Sequence, residues 1–95
     1  MRTKNKNKVD IEKFLDICDE IKGERSWREL VRNANFAWSS FCYIRRGDMA
    51  PSVDFIIKLA LYCNADKEKA GYYLKQLLDA AGYSELVPYI KAKGG

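Results

Sequence analysis

The 95-residue chain has no histidine, and its three cysteines, Cys18, Cys42 and Cys63, stand far apart without any CxxC pair. Zinc sites need several ligands at characteristic spacings, so these absences argue against a structural metal. Without histidine no base is available to activate a cysteine, and no glycine-rich phosphate loop or paired-carboxylate motif stands out. We therefore expect no metal, no cofactor and no enzymatic activity, with three reduced thiols that act as small apolar side chains.

Long apolar runs are missing as well. The longest covers the nine residues 55–63 and includes Lys58, whereas a membrane-spanning helix needs about 20 apolar residues. The basic start of the chain, 1–4, is not followed by a hydrophobic segment, so we expect no signal peptide and a cytoplasmic protein. With 47% hydrophobic residues, the chain has enough apolar material for one core without disulfides or metal.

Charge is distributed unevenly along the chain. Residues 9–24 carry six acids and two lysines, whereas residues 25–47 carry five arginines and one acid. Residues 1–8 contain no acid, and their basic side chains are Arg2, Lys4, Lys6 and Lys8. This asymmetry predicts that a polyanion meets the basic arm and the central stretch, with the first helix turned away from it. An ordinary solvated surface with a flexible tail is the alternative.

Apolar periodicity predicts an all-α chain, a compact bundle of five to six helices without strands. Asp10 is placed to cap a first helix that runs to about Lys22 and ends at Gly23. Further helices are predicted over about 27–33, 37–45, 53–63 and 67–81, and a short last one near 84–91 is weakened by Pro88. Along the fourth helix, the residues predicted to face inward are Val53, Ile56, Ile57, Ala60 and Leu61.

These patterns divide the chain into two parts. Residues 1–8 lack any core-forming side chain and are predicted to be a disordered basic arm. Residues 9–95 are predicted to form a single domain that ends in a C-terminal helical extension.

The clearest local signals lie between residues 26 and 52. Ser26 and Glu29 have the spacing of a capping box, and Asn35 is a residue that tolerates the left-handed geometry of a sharp turn. Gly47 is placed to end the third helix, and Ser52 to cap the fourth. Two short helices joined by a turn of three to four residues match a helix-turn-helix unit.

The third helix has two distinct sides. At 100° per residue, its inward side consists of Ala37, Phe41 and Ile44. The opposite side carries Ser39, Tyr43 and Arg46. Small hydroxyls, an aromatic ring and a trailing arginine are suited to the major groove of DNA. The alternative for Arg45 and Arg46 is a favourable interaction with the helix dipole.

In this register the stretch resembles the XRE family of helix-turn-helix proteins, which includes phage repressors and Cro-type regulators. The residues that carry the resemblance are Ser26, Glu29, Leu30, Val31, Phe36, Ile44, Arg46, Gly47, Pro51 and Ser52. Residues 59–60 and 77–83 also look like family segments, so that the resemblance covers about residues 11–83. It implies a lambda-repressor-like DNA-binding domain, a sequence-specific transcriptional regulator and repressor that inserts the helix at about 37–45 into the major groove.

The resemblance also implies which residues contact DNA. The base-reading residues would be Trp38, Ser39, Ser40 and Tyr43. The DNA backbone would be contacted by Ser26, Trp27, Arg28, Arg46, Asp48 and Met49. Trp27 and Trp38 stand where the family often has glutamine or another polar residue. For Trp27 we expect partial burial in the core, whereas Trp38 either packs on a thymine methyl or sugar, or stacks on Trp27 and braces the turn.

Two further contacts are predicted, one within the chain from the same resemblance and one between chains from the surplus of apolar side chains in the C-terminal region. Glu20 and Arg45 occupy positions where the family commonly has an arginine and a glutamate, so we predict an ion pair with exchanged charges. A homodimer is expected on a palindromic operator. Its interface is predicted in the C-terminal region, at Tyr83, Leu86, Val87, Tyr89 and Ile90.

A different class of function remains open at this point. Exposed aromatic side chains such as Trp38 and Tyr43 are enriched at protein interfaces. The alternative is therefore a protein-interaction module, an antirepressor or an antitoxin, that uses a repurposed helix-turn-helix.

Deleting residues 1–8 tests the role assigned to the basic arm. Each phosphate that a protein neutralises steepens the log–log salt dependence of DNA affinity by about 0.9, so the truncated chain is expected to show a flatter slope. The measurement is duplex binding by fluorescence anisotropy across a series of salt concentrations. A full-length control with Ser at the four basic positions separates charge from length. An unchanged slope would make the arm a solubilising tail.

Overall fold

The computed structural model describes residues 9–89, and every regular element in this range is helical. The five α-helices are α1 Ile11–Lys22, α2 Trp27–Asn33, α3 Trp38–Arg45, α4 Val53–Lys58 and α5 Ala70–Ala80. Helix α4 continues as a π-helix over Leu59–Cys63, and 3-10 turns cover Lys67–Lys69 and Ser84–Tyr89. The all-α prediction is confirmed with five α-helices rather than six.

The last predicted helix takes the tighter 3-10 form. Pro88 lies inside the segment Ser84–Tyr89, and its ring nitrogen has no proton to donate to an α-helical carbonyl. The basic arm of residues 1–8 and Ile90 lie outside the described residues. Within residues 9–89, no helix combines the length and the apolar character needed to cross a bilayer.

The caps predicted around α2 and α4 are formed. The hydroxyl of Ser26 accepts a hydrogen bond from the Glu29 backbone N–H at 3.1 Å, and the Glu29 carboxylate accepts one from the Ser26 N–H at 3.2 Å. Ser52 caps α4 in the same way, accepting from the N–H of Phe55 at 3.1 Å. Asn35 has the predicted positive φ of 55°. Local sequence therefore defines the starts of α2 and α4 and the turn at Asn35, whereas Ala37 at the start of α3 provides no side-chain cap.

The core is built around phenylalanine side chains from four parts of the chain. Phe14, Phe41 and Phe55 are each 0% exposed. The ring of Phe55 stacks on Phe36 at a centroid distance of 4.0 Å and meets Phe41 edge-on at 6.2 Å. Aromatic pairs in these geometries are more favourable than their buried area alone. The contact of Phe41 with Phe55 thereby determines which side of α3 faces the core.

Helix α4 and its π-helical extension turn part of the predicted side inward: Ile56 and Ala60 are buried, and Val53 packs against the core. Ile57 and Leu61 were expected in the core but are 37% and 38% exposed. The buried positions along α4 and its π-helical extension are Phe55, Ile56, Leu59, Ala60 and Cys63. The prediction was wrong for Ile57 and Leu61, because residues 55–63 are apolar almost throughout and therefore give no clear amphipathic period.

Arg25 joins the ends of two helical segments that are distant in sequence. Its Nη2 donates to the carbonyl oxygens of Ile21 and Cys63, both at 2.7 Å, and its Nε donates to that of Lys22 at 3.0 Å. The last carbonyls of a helix have no partner within the helix. A single guanidinium therefore satisfies carbonyls at the end of α1 and at the end of the π-helical segment.

The C-terminal part of the domain packs back on α1. The backbone N–H of Asp10 donates to the carbonyl of Ala80 at 2.7 Å, and Lys13 Nζ lies 3.2 Å from the Asp79 carboxylate. Hydrogen bonds from Ser84 and Lys13 lower the pKa of Asp79. The start of α1 and the end of α5 are thereby tied together.

Replacing Arg25 tests whether this link holds the fold together. We expect Arg25→Ala to lower the free energy of unfolding by about 2–4 kcal/mol, because three carbonyls lose a charged donor. Arg32→Ala removes the same charge from an exposed position and should change stability by no more than about 0.5 kcal/mol. Urea unfolding measures both. Equal losses in the two variants would contradict a clamping role for Arg25.

Candidate functional site

Helix α3 presents the polar side predicted from its sequence. Its inner side chains Phe41 and Ile44 are 0% exposed. Ser39 and Tyr43 are exposed on the outer side, as is Arg46 directly after the helix. Ser40 is half-buried, and the Tyr43 side chain is 48% exposed. The helix is thus anchored by one side, which leaves the other free to contact a partner.

The two tryptophans flank the same phenylalanine. Trp27 stacks on Phe41 at a centroid distance of 5.7 Å, and Trp38 lies 5.6 Å from Phe41 at an interplanar angle of 39°. A direct stack of Trp38 on Trp27, one of the two alternatives for Trp38, does not occur among the described residues, since both rings pack on Phe41 instead. Both rings are half-buried against the core. The partial burial expected for Trp27 is confirmed.

Cations cover both tryptophan rings. The Lys22 ammonium lies 5.2 Å from the centroid of Trp27, and the Arg28 guanidinium lies 4.7 Å from that of Trp38. Such cation–π contacts are favourable even at exposed sites. Each tryptophan therefore has a charged group held at its surface, a pairing that apolar periodicity does not reveal. Sequence spacing does not reveal it either, since Arg28 directly follows Trp27 but lies on Trp38.

Arg46 is held from two directions just beyond α3. Its guanidinium lies 4.8 Å from the Tyr43 ring, and its Nε is 3.1 Å from the Asp48 carboxylate. The resemblance implies that Arg46 and Asp48 both contact the DNA backbone, and in the structure the two side chains contact each other. Met49, from the same set, is half-buried against the core. Ser26 uses its hydroxyl for the capping box.

The predicted ion pair between Glu20 and Arg45 is not formed. The Glu20 carboxylate instead accepts a hydrogen bond from the Tyr73 hydroxyl at 3.4 Å, and the Arg45 guanidinium lies 5.8 Å from the Phe41 ring. Both charged side chains are exposed, and ion pairs in water contribute little stability. The ion pairs present within residues 9–89 are Lys13–Asp79, Lys22–Asp19, Arg46–Asp48 and Lys58–Asp54.

An open groove lies between α2 and the start of α3. It has a volume of about 460 Å³, and its walls include Arg28, Arg32 and Trp38. Arg32 was not singled out from the sequence, although its spacing of four residues from Arg28 places both on one side of α2. Two exposed guanidinium groups beside α3 give this part of the surface a positive charge.

Two of the three cysteines, Cys18 and Cys63, lie outside α2 and α3, whereas Cys42 belongs to α3. Cys18 and Cys63 are buried, Cys42 is half-buried, and all three are free thiols. Burial raises the pKa of Cys18 and of Cys63, which disfavours the nucleophilic thiolate. Within residues 9–89, no three histidine, cysteine or acidic side chains come together in a metal-binding arrangement.

The described part of the predicted dimer region covers its own core. Tyr83 donates from its hydroxyl to the carbonyl of Pro51 at 3.0 Å, and Leu86 and Val87 pack against the core. The Tyr89 side chain and Ile90 are not described. Among the described residues, the most exposed large hydrophobic side chains lie outside this region, at Tyr62 with 72% and Tyr72 with 56% exposure.

Comparisons of the chain with protein-family models, with curated proteins and with solved structures gave no match. The resemblance to the XRE family therefore stays a prediction, and the function is argued from the side chains themselves.

Two substitutions separate structural from exposed aromatic residues at this site. Trp27→Ala is expected to lower the free energy of unfolding by about 2 kcal/mol, because its ring packs on Phe41. Tyr43→Ala should change it by about 0.5 kcal/mol or less, since the ring is half-exposed. Chemical denaturation followed by circular dichroism measures both. A larger loss for Tyr43→Ala than for Trp27→Ala would show that the outer side of α3 is structural.

Proposed function

We propose that the chain is a sequence-specific double-stranded DNA-binding regulator of transcription, acting as a repressor. In this proposal α2 and α3 form a helix-turn-helix, and α3 enters the major groove. The observation that carries the proposal is the outer side of α3, where Ser39 and Tyr43 stand exposed on a helix locked into the core by Phe41 and Ile44. A rigid helix with hydroxyl groups outward can present them to base edges.

The dimensions of α3 support this role. Its eight residues correspond to about 12 Å of helix at about 1.5 Å per residue, which is close to the width of the major groove. The turn before it is closed by a hydrogen bond from the Phe36 N–H to the Val31 carbonyl at 3.1 Å. Its start and its orientation are therefore fixed relative to α2, as contact with specific bases requires.

Positive charge at both ends of the site supports a polyanionic partner. Arg28 and Arg32 project from α2, and Arg45 and Arg46 lie at the end of α3, all four exposed. Arginine side chains supply most phosphate contacts in protein–DNA interfaces together with lysine. In the proposed complex they hold α3 against the groove. The basic arm of residues 1–8 would add phosphate contacts alongside.

A homodimer on a palindromic operator completes the proposal. Two-fold symmetry places two copies of α3 about one turn of DNA apart, which doubles the number of bases read. The predicted contact region remains the C-terminal segment at 83–90. Sedimentation equilibrium of the full chain, with and without DNA, measures the oligomeric state.

The second candidate function, a protein-interaction module of antirepressor or antitoxin type, is favoured by a different observation. Tyr62 and Tyr72 are largely exposed, and exposed tyrosines are enriched where proteins bind proteins. These side chains belong to the π-helical segment and to α5, not to α2 or α3. This candidate therefore requires a different set of residues from the DNA-binding proposal.

Selection from a random duplex library tests the proposed function. We expect enrichment of a palindromic sequence that binds less tightly as salt rises. The double variant Ser39→Ala/Tyr43→Ala should lose this preference while remaining folded, because both side chains are exposed.

Tyr62→Ala serves as the matched control in the same selection. It removes an equally polar aromatic ring from the other surface and should bind DNA like the wild type. If no sequence is enriched from the library, the DNA-binding proposal is wrong. Loss of preference in Tyr62→Ala alone would move the interface to the second surface.

A further inference from the structure

Three arginines in or beside α3 lie on aromatic rings but differ in their other contacts. Arg28 covers Trp38 at 4.7 Å and Arg46 covers Tyr43 at 4.8 Å, whereas Arg45 lies farther from the buried ring of Phe41, at 5.8 Å. The Nε of Arg46 donates to the Asp48 carboxylate at 3.1 Å. Within residues 9–89, the Arg28 guanidinium has no hydrogen-bond acceptor and no ion-pair partner. Arg46 thus has an acidic partner in addition to its ring, whereas Arg28 is oriented by the Trp38 ring without one.

A guanidinium that lies on an aromatic ring retains its hydrogen-bonding capacity. The contact uses the planar surface of the group, whereas the N–H donors point outward in its plane. Holding the long side chain in place also reduces the conformational entropy it loses on binding. Arg28 is therefore a preorganised, unsatisfied two-donor group that faces solvent.

Trp38 determines where these donors are placed. It is the first residue of α3, and the N-terminal residues of a groove-binding helix are those that contact base edges. Through its contact with Trp38, the guanidinium of Arg28 is brought from α2 to the first turn of α3. This position differs from that of Arg46, which lies beyond the last turn.

Resting on the proposed function, we propose that Arg28, held on the ring of Trp38, selects guanine in each half-site of the DNA. Guanine alone presents two acceptors, O6 and N7, side by side in the major groove, and they match the paired donors of a guanidinium. Adenine offers a donor beside N7, cytosine a donor, and thymine a methyl group next to its acceptor. Arg46, partly neutralised by Asp48, contacts phosphate in this arrangement.

Selection experiments on variants of the full chain distinguish guanine readout from a phosphate contact. In Arg28→Ala, the ratio of affinities for guanine over the other bases at one position per half-site is expected to fall by about 5- to 150-fold. The matched control is Arg32→Ala, which removes the same charge one helical turn away and has no aromatic ring under its guanidinium. It should weaken binding to all sequences alike and flatten the salt dependence.

Substitutions of Trp38 test the role of its ring. Trp38→Leu keeps Arg28 and the net charge but removes the aromatic surface, so the guanine preference should fall while the salt slope stays unchanged. Trp38→Phe retains a ring and should retain part of the preference. Thermal unfolding confirms that each variant is folded. In the free protein, the Arg28 side-chain proton resonances should be shifted upfield by the ring and lose that shift in Trp38→Leu.

The outcomes separate this inference from the proposed function. If the wild type enriches no duplex sequence, the proposed function is wrong and the guanine assignment with it. The wild type could enrich a sequence while Arg28→Ala keeps the same base preference, with affinity either unchanged or lowered equally for all sequences. That result would overturn the guanine assignment alone. A missing upfield shift in the wild type would also overturn it, since the guanidinium would then not lie on the ring.

Discussion

The architecture of this domain depends on the three carbonyl groups that Arg25 binds. Ile21 and Lys22 belong to the last turn of α1. Cys63, which is 38 residues after Arg25, ends the π-helical segment. Helix ends leave such carbonyls without partners, and burying them unsatisfied is costly. Because Ser26 follows immediately and caps α2, the residue that joins α1 to the end of the π-helix also fixes where α2 begins.

From that junction the positions of α2 and α3 follow by packing. Leu30 and Phe41 are fully buried, and the stack of Phe36 on Phe55 closes the turn between the helices against α4. Since protein interiors are packed to the density of crystals, rotating α3 would open a cavity at Phe41 or expel Phe55. The outward direction of Tyr43 is a consequence of these buried contacts.

Sequence alone was sufficient where structure depends on neighbours a few residues apart. The Ser26 capping box, the positive φ of Asn35 and the outer side of α3 belong to this class. Contacts that join distant segments could not be predicted in the same way. One acceptor of Arg25, the carbonyl of Cys63, is 38 residues away in sequence. Nothing in the local pattern distinguishes Arg25 from Arg32. Glu20 likewise pairs with Tyr73, 53 residues distant.

The same distinction explains why the role of the tryptophans was open. In the sequence, Trp27 and Trp38 stand at positions where the resemblance to the XRE family predicts polar side chains. In the fold, both rings pack on Phe41, and Lys22 and Arg28 lie on them. A cation held on each ring therefore supplies hydrogen-bond donors that the tryptophan lacks. Amide side chains match the edge of adenine, whereas a guanidinium matches that of guanine, so in the proposed complex with DNA this exchange would change the preferred base from adenine to guanine.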